Sequence, residues 1–205
     1  MIAIIDYNMG NIASVRKAVQ FLGGRATVAA DPRVVAKADG IIFPGVGAFG
    51  AAMQELKARK LIVPLREAIE SEKPFLGLCL GLQLLFESSE ESPGVKGLSV
   101  LPGRVRLLPK KPGLKIPHMG WNSLSKKGKK NPLFNGVPDQ AFVYFVHSFY
   151  AQPKNSADVA AVTEYGVQFP SVVWNGRKLW ATQFHPEKSQ KHGLKILENF
   201  LRQTC

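Results

Sequence analysis

The chain has 205 residues, 45 % of them hydrophobic and 20 % charged, with a net charge of +12; this is the size and composition of one globular domain, residues 1–205. Cys79 and Cys205 are the only cysteines, the N-terminus has no basic leader, and no apolar run approaches the ~20 residues that cross a bilayer. No disulfide scaffold, no signal peptide and no membrane span are therefore expected, and the chain reads as a reduced, cytoplasmic protein.

The positive charge gathers in Lys110-Lys111 and Lys126–Lys130, near Arg104 and Arg106. No aromatics interleave with these lysines and no recognition motif accompanies them. We read them as solvated lysine rather than a nucleic-acid surface, with an acidic protein partner left open.

In chain order, Ile2 to Ile5 reads as a buried strand. Ile12, Val15, Val19 and Leu22 follow at helical spacing, and Gly23-Gly24 stops that helix. Ala26 to Ala29 is a second strand, after which Asp31-Pro32 turns the chain. Ile41 to Phe43 is a third, ending in Pro44-Gly45-Val46-Gly47. Leu56, Leu61, Val63, Leu65 and Ile69 belong to helical segments. Phe75 to Leu78 is a fourth strand, followed directly by a helix carrying Leu82, Leu84, Leu85 and Phe86. Alternation of this kind implies a parallel sheet with helices on both faces.

The second half reads differently. Leu98 to Leu101, Val105 to Leu108, Phe142 to Val146, Val159 to Thr163, Ser171 to Trp174 and Leu179 to Phe184 are expected strands with few helices between. Asn175-Gly176 is a hairpin turn, and an amphipathic helix from Gln190 to Leu201 closes the chain. The expected class is α/β: an open mixed sheet, largely parallel, with helices on both faces and an antiparallel extension, flavodoxin-like.

Three stretches carry chemistry. Gly77-Leu78-Cys79-Leu80-Gly81 joins the fourth strand to its helix in the form of a nucleophile elbow, with cysteine for serine. A sharp turn strains the nucleophile's backbone, glycines two residues away relieve crowding, and the helix N-terminus favours a thiolate. A lone cysteine is ordinarily a buried packing residue; the two glycines and the strand-to-helix context argue otherwise here. His185-Pro186-Glu187 follows the last expected strand, and in extended backbone the two flanking side chains share a face. On its own this is a common surface turn, but beside a cysteine elbow it supplies a base and the acid that orients it. Phe43 to Phe49 is a glycine-rich turn leaving a parallel strand, and its spacing matches neither dinucleotide nor P-loop patterns. A backbone N–H of Val46 or Gly47 could complete an oxyanion hole there.

These blocks, together with Asp6-Tyr-Asn-Met-Gly-Asn11, Pro117-His-Met-Gly-Trp-Asn122, Tyr144-Phe-Val-His-Ser148 and Gln183-Phe-His-Pro-Glu-Lys-Ser189, span the chain. They resemble the class I (triad) glutamine amidotransferases, and within them the glutaminase subunits of imidazole glycerol phosphate synthase. The resemblance implies Cys79 as nucleophile, His185 as acid/base and Glu187 as its orienting partner. It implies an oxyanion hole near Val46, Gly47 and Leu80, and contacts to an L-glutamine substrate from Gln83, Glu91, His147 and Ser148. It places Trp121 and Tyr144 towards a (βα)₈-barrel synthase subunit in a heterodimer of the histidine pathway. No cofactor and no metal are implied; the four histidines form no zinc pattern. The chain departs from the resemblance at Phe149, where tyrosine is expected, so no hydroxyl is available at that position. Two other readings of the residues remain: a stand-alone cysteine hydrolase of γ-glutamyl substrates, and a non-catalytic subunit that binds through its basic face. A scaffold would need none of Cys79, His185 and Glu187.

Overall fold

The computed structural model describes residues 1–128 and 130–204; Lys129, in the basic run, and Cys205 lie outside the described residues. Short runs apolar at every position build the centre of the sheet. β1 (Ile2–Ile5), β3 (Gly40–Gly45) and β4 (Phe75–Cys79) are buried at each residue, as strands covered on both faces must be. β2 (Ala26–Ala29) lies parallel at their edge. Alternate residues of one strand serve opposite cores. Ala3, Ile5, Phe43 and Phe75 share one core with α2 (Pro32–Lys37), α3 (Phe49–Ala58) and α4 (Ile62–Glu70). Ile2, Ile4, Leu76 and Leu78 share the other with α1 (Ile12–Phe21) and α6 (Gln190–Leu201).

The remaining strands of this sheet are β7 (His118–Lys126), β8 (Ala141–His147), β10 (Val159–Glu164), β11 (Gln168–Trp174) and β12 (Leu179–Thr182). The nine strands run β2-β1-β3-β4-β12-β11-β10-β7-β8. Pairing is parallel from β2 to β12 and antiparallel from β12 to β8, so the open mixed sheet expected is present with an antiparallel part as wide as its parallel part. β8 has the half-buried signature, with Ala141, Val143, Phe145 and His147 inward and Phe142 exposed. A second sheet, β5 (Ser88–Ser89), β6 (Gly103–Leu107) and β9 (Phe149–Pro153), packs beside it. The chain crosses from one sheet to the other at Ser148, between β8 and β9.

Three local expectations are corrected, and two strands stand where none was expected. Asp31-Pro32 opens α2 rather than a plain turn: Asp31 accepts the Arg33 N–H at 2.8 Å and Pro32 takes the first helical position. The helix after β4 is a single turn, α5 (Leu80–Gln83), with Leu85 and Phe86 beyond it. Leu98 to Leu101 is no strand; its N–H groups cap the carbonyls that α5 leaves open, Leu98 to Leu84 at 2.8 Å and Val100 to Leu85 at 2.9 Å. β7 and β9 escape a reading by apolar pattern, since most of β7 is half-buried or exposed and β9 ends in proline. The Asn175-Gly176 hairpin joins β11 to β12 as expected.

Candidate active site

β3, β4 and β12 end at the same edge, with Gly45 beside Cys79 and Thr182 beside Leu78. Such carboxyl edges are where open α/β sheets receive ligands. Cys79 caps α5 with φ 53° and ψ −107°, a strained conformation for a residue with a Cβ. The flanking glycines serve a different purpose from the one expected. A Cβ on Gly81 would lie 1.9 Å from the Phe43 carbonyl oxygen, and one on Gly77 would lie 3.0 Å from that of Gly81. Gly81 lets the elbow fold back onto β3 and Gly77 lets the turn close on Gly81; the sulfur is not among the nearest atoms to either. Because α5 is one turn long, what it offers an anion is its first free N–H groups, Leu80 among them, rather than a long dipole.

After β12 the chain delivers His185 in extended backbone and then makes a single 3₁₀ turn, Pro186–Lys188. That turn, rather than a continued strand, brings Glu187 onto His185. Nδ1 of His185 donates to Glu187 Oε1 at 2.8 Å, with the two side chains only 4 % and 1 % exposed. With Nδ1 committed to a carboxylate, the buried Nε2 has no hydrogen-bond partner among the described residues. Burial opposes charge on this ring, but the Cys79 sulfur and the Glu187 carboxylate outweigh it, and His185 is pushed up to about 10. The Cys79 sulfur itself lies 3.9 Å from the Val146 carbonyl and 3.8 Å from Gln183 Nε2.

A cavity of about 340 Å³ opens at this edge, lined by Cys79, Leu80, Val46, Gly47, Gln83, Glu91, His147, Ser148 and His185. Every residue expected at the nucleophile, oxyanion hole or substrate is therefore gathered there, with Glu187 behind His185. The details refine several roles. Val46 N–H is committed to the Met9 carbonyl at 2.9 Å, while Gly47 has φ +92°. Gln83 donates through Nε2 to the Phe149 carbonyl at 2.9 Å and to Gln183 Oε1 at 3.2 Å, so Oε1 is the atom it can offer a ligand. Glu91 accepts the Phe49 N–H at 2.7 Å, capping α3, whose own N-cap Ala48 makes no side-chain bond. His147 lines the cavity, but both its nitrogens are engaged, Nδ1 with the Phe149 carbonyl at 2.8 Å and Nε2 with His118 Nδ1 at 3.0 Å.

Trp121 and Tyr144 are not in the cavity. They form an edge-to-face pair with centroids 6.0 Å apart on the outer face of β7 and β8, beside exposed Met119 and Phe142. In the basic run, the Lys126 ammonium donates to the Val137 carbonyl and sits 5.5 Å from the Phe134 ring.

Sequence reasoning missed three contributors. Tyr7, with its hydroxyl on the Pro44 carbonyl at 3.0 Å, supports the end of β3; burial first, then the nearby Cys79, raises its pKa. Gln183 reaches the Cys79 sulfur. Ser189 bridges the His185 carbonyl at 2.6 Å and the Tyr144 N–H at 2.9 Å, tying the histidine turn to β8. Gln183 and Ser189 stand inside the last resemblance block, but nothing in their residue type announces a contact. Among the described residues no group of three or more His, Cys, Asp or Glu is gathered as a metal site requires, and no helix is long and apolar enough to cross a membrane.

The family model described as glutamine amidotransferase class-I matches residues 3–204. A relative from Synechococcus elongatus, described as imidazole glycerol phosphate synthase subunit HisH, is 48 % identical over 204 residues, covering 100 % of this chain and 94 % of its own. One of the same description from Bacillus cereus is 50 % identical over 200 residues, covering 98 % of this chain and 93 % of its own. A solved glutamine amidotransferase superposes with TM-score 0.76 at 18 % identity, covering 98 % of each chain. Another, from Thermotoga maritima, gives TM-score 0.69 at 16 % identity over 99 % of this chain and 96 % of that one.

Proposed function

The chain belongs to the class I glutamine amidotransferase family, and from that premise we propose that it is the glutaminase subunit of an imidazole glycerol phosphate synthase, serving histidine biosynthesis in the cytoplasm. The observation that carries this reading is the buried His185–Glu187 pair, its second nitrogen without a hydrogen-bond partner among the described residues, with His185 and Cys79 lining the same cavity. An imidazolium held at neutral pH beside a cysteine sulfur is the arrangement of an activated thiol nucleophile.

In the mechanism, the Cys79 sulfur attacks the carboxamide carbon of glutamine and the carbonyl π electrons move to oxygen. N–H groups of Leu80 and of the Val46–Gly47 turn hold that oxyanion. His185 gives its Nε2 proton to the leaving nitrogen as the C–N bond breaks, releasing ammonia and leaving a glutamyl thioester. It then takes a proton from water, which attacks the thioester; glutamate leaves and the sulfur is regenerated. Glu187 keeps Nδ1 protonated and stabilises the imidazolium throughout. Gln83 Oε1, Glu91 and the Ser148 crossing point hold the substrate.

Ammonia passes to a (βα)₈-barrel synthase subunit docked over Trp121 and Tyr144, which joins it to a phosphorylated ribulose-type precursor to give imidazole glycerol phosphate and aminoimidazole carboxamide ribotide. The engagement of Val46 N–H with Met9 supports a resting state in which one oxyanion donor is turned away. Rotation of the Gly45–Val46 peptide, which glycine permits at low cost, would turn it towards Cys79.

The test is ammonia release from glutamine by the purified chain, alone and with the barrel subunit and its nucleotide ligand. Low release alone and high release in the complex is the expected result. Full activity alone would identify an independent hydrolase and remove the partner from the reading.

A further inference from the structure

We propose that His118 and Asn122, neither of which lines the cavity, are positioning residues for glutamine binding: through His147 they hold the Phe149 carbonyl from which Gln83 is suspended. The inference rests on the proposed glutaminase reading, in which Gln83 contacts substrate.

The register brings the parts together. His118 on β7 pairs directly with His147 on β8, and Asn122 lies four residues along the same strand face as His118. A chain of hydrogen bonds follows, and each proton in it has one allowed position. Asn122 Oδ1 accepts the Ser123 N–H at 2.8 Å, which orients the amide. Its Nδ2 then donates to the Glu164 carbonyl at 3.0 Å and to His118 Nε2 at 3.3 Å. With Nε2 accepting, His118 carries its proton on Nδ1 and donates it to His147 Nε2 at 3.0 Å. His147 therefore carries its own proton on Nδ1 and gives it to the Phe149 carbonyl at 2.8 Å. That carbonyl also accepts Gln83 Nε2 at 2.9 Å, and the other Gln83 proton goes to Gln183 Oε1 at 3.2 Å.

The column is anchored at both ends on backbone carbonyls, of β10 and β9, and it works only with both imidazoles neutral. Their surroundings agree. Burial pushes His118 down to about 4, and burial, aided by His118 and His185, pushes His147 down to about 3, the bond to Phe149 opposing. The rings facing His118 are Tyr165 at 3.9 Å, Phe145 at 4.8 Å and Phe169 at 5.8 Å, besides His147 itself; among the described residues no carboxylate hydrogen-bonds either histidine. The consequence is a Gln83 amide with both donors fixed and its Oε1 aimed by structure rather than chosen by the substrate. Preorganisation of this kind lowers the cost of binding.

The competing account is that His118 is a packing ring between Tyr165 and Phe145. Two substitutions separate the accounts. His118→Phe keeps the stack and removes the donor; His118→Asn loses the stack but places an N–H where Nδ1 stood. In the complex with its synthase subunit, His118→Phe should raise the KM for glutamine about tenfold, the effect of one lost buried hydrogen bond. The kcat should stay within about twofold, because the loss falls on ground-state binding, and His118→Asn should restore most of the KM. A wild-type KM in His118→Phe with a raised one in His118→Asn would leave only packing and overturn the proposal. Nitrogen-15 spectra of the imidazoles add a readout independent of turnover. At neutral pH both His118 and His147 should be uncharged with the proton on Nδ1, and a proton on Nε2 of either would refute the column. Failure to hydrolyse glutamine at all would instead sink the glutaminase reading, with the spectra still testing the column.

Discussion

Cys79 and the Val46–Gly47 turn hang from the parallel side of the sheet, whereas His185, Glu187, His147 and Ser148 come from the antiparallel side. The two sides position their groups by different means. On the parallel side the backbone does it: a cysteine at φ 53°, a single helical turn, and a glycine pressed against the Phe43 carbonyl. On the antiparallel side side-chain hydrogen bonds do it: Glu187 to His185, Ser189 to His185 and Tyr144, His118 to His147. Substitutions on the first side should therefore act through the fold unless they touch the sulfur, and those on the second should act on chemistry with the fold kept.

The largest effect should come from the sulfur. Cys79→Ala should reduce ammonia release by at least about 10⁴-fold, as losing a nucleophile does elsewhere, with an unchanged melting curve; retained turnover would end the assignment. Next, Glu187→Gln keeps the shape of the acceptor and removes its charge, and kcat should fall by about 10³-fold. The same variant reads out the charge on His185. A group raised in the folded state stabilises it fully below the unfolded pKa of about 6.5 and loses that contribution as pH rises through the folded value. With His185 held up to about 10, the melting-temperature advantage of the unsubstituted chain over Glu187→Gln should narrow between pH 6.5 and 10. An advantage that widened would contradict the charged pair.

Third, Gly81→Ala should cost more than about 3 kcal/mol of stability in denaturant titration, because its Cβ meets a backbone oxygen of the neighbouring strand that cannot swing aside. A near-neutral result would mean that the elbow is looser than its contacts imply. The smallest effect should be that of Phe149→Tyr. The site uses the Phe149 carbonyl, so restoring the expected hydroxyl should change kcat/KM by less than about threefold; a larger gain would show that the ring position itself meets the substrate.

The centre of the parallel half was legible because β1, β3 and β4 are buried on both faces. Ile2–Ile5, Ile41–Phe43 and Phe75–Leu78 stand out as short apolar runs, the second set between Gly40 and Pro44 and the third after Pro74. In the antiparallel half, Val159–Thr163, Ser171–Trp174 and Leu179–Phe184 were legible as apolar runs and Phe142–Val146 as part of an alternating strand. β7 was passed over because its nine residues include only two buried ones, His118 and Leu124, which leaves no periodic signal. Leu98–Leu101 misled for the opposite reason: Leu98 and Leu101 are buried, yet their backbone serves the carbonyls of a helical turn rather than a ladder.

By itself, then, the sequence singled out the side chains to which the proposed chemistry is assigned, because a cysteine between two glycines and a histidine two residues from a glutamate are local facts of residue type and spacing. Only the tertiary structure decided what each group can do. That His147 has no free nitrogen, that Val46 N–H is turned to Met9, and that Gln183, Ser189 and Tyr7 support the site depend on contacts that the folded chain brings together, most of them between distant segments. Hydrogen bonds across 45 to 104 residues of separation, such as Tyr144 to Ser189 and Gln183 to Cys79, leave no spacing for a sequence to display.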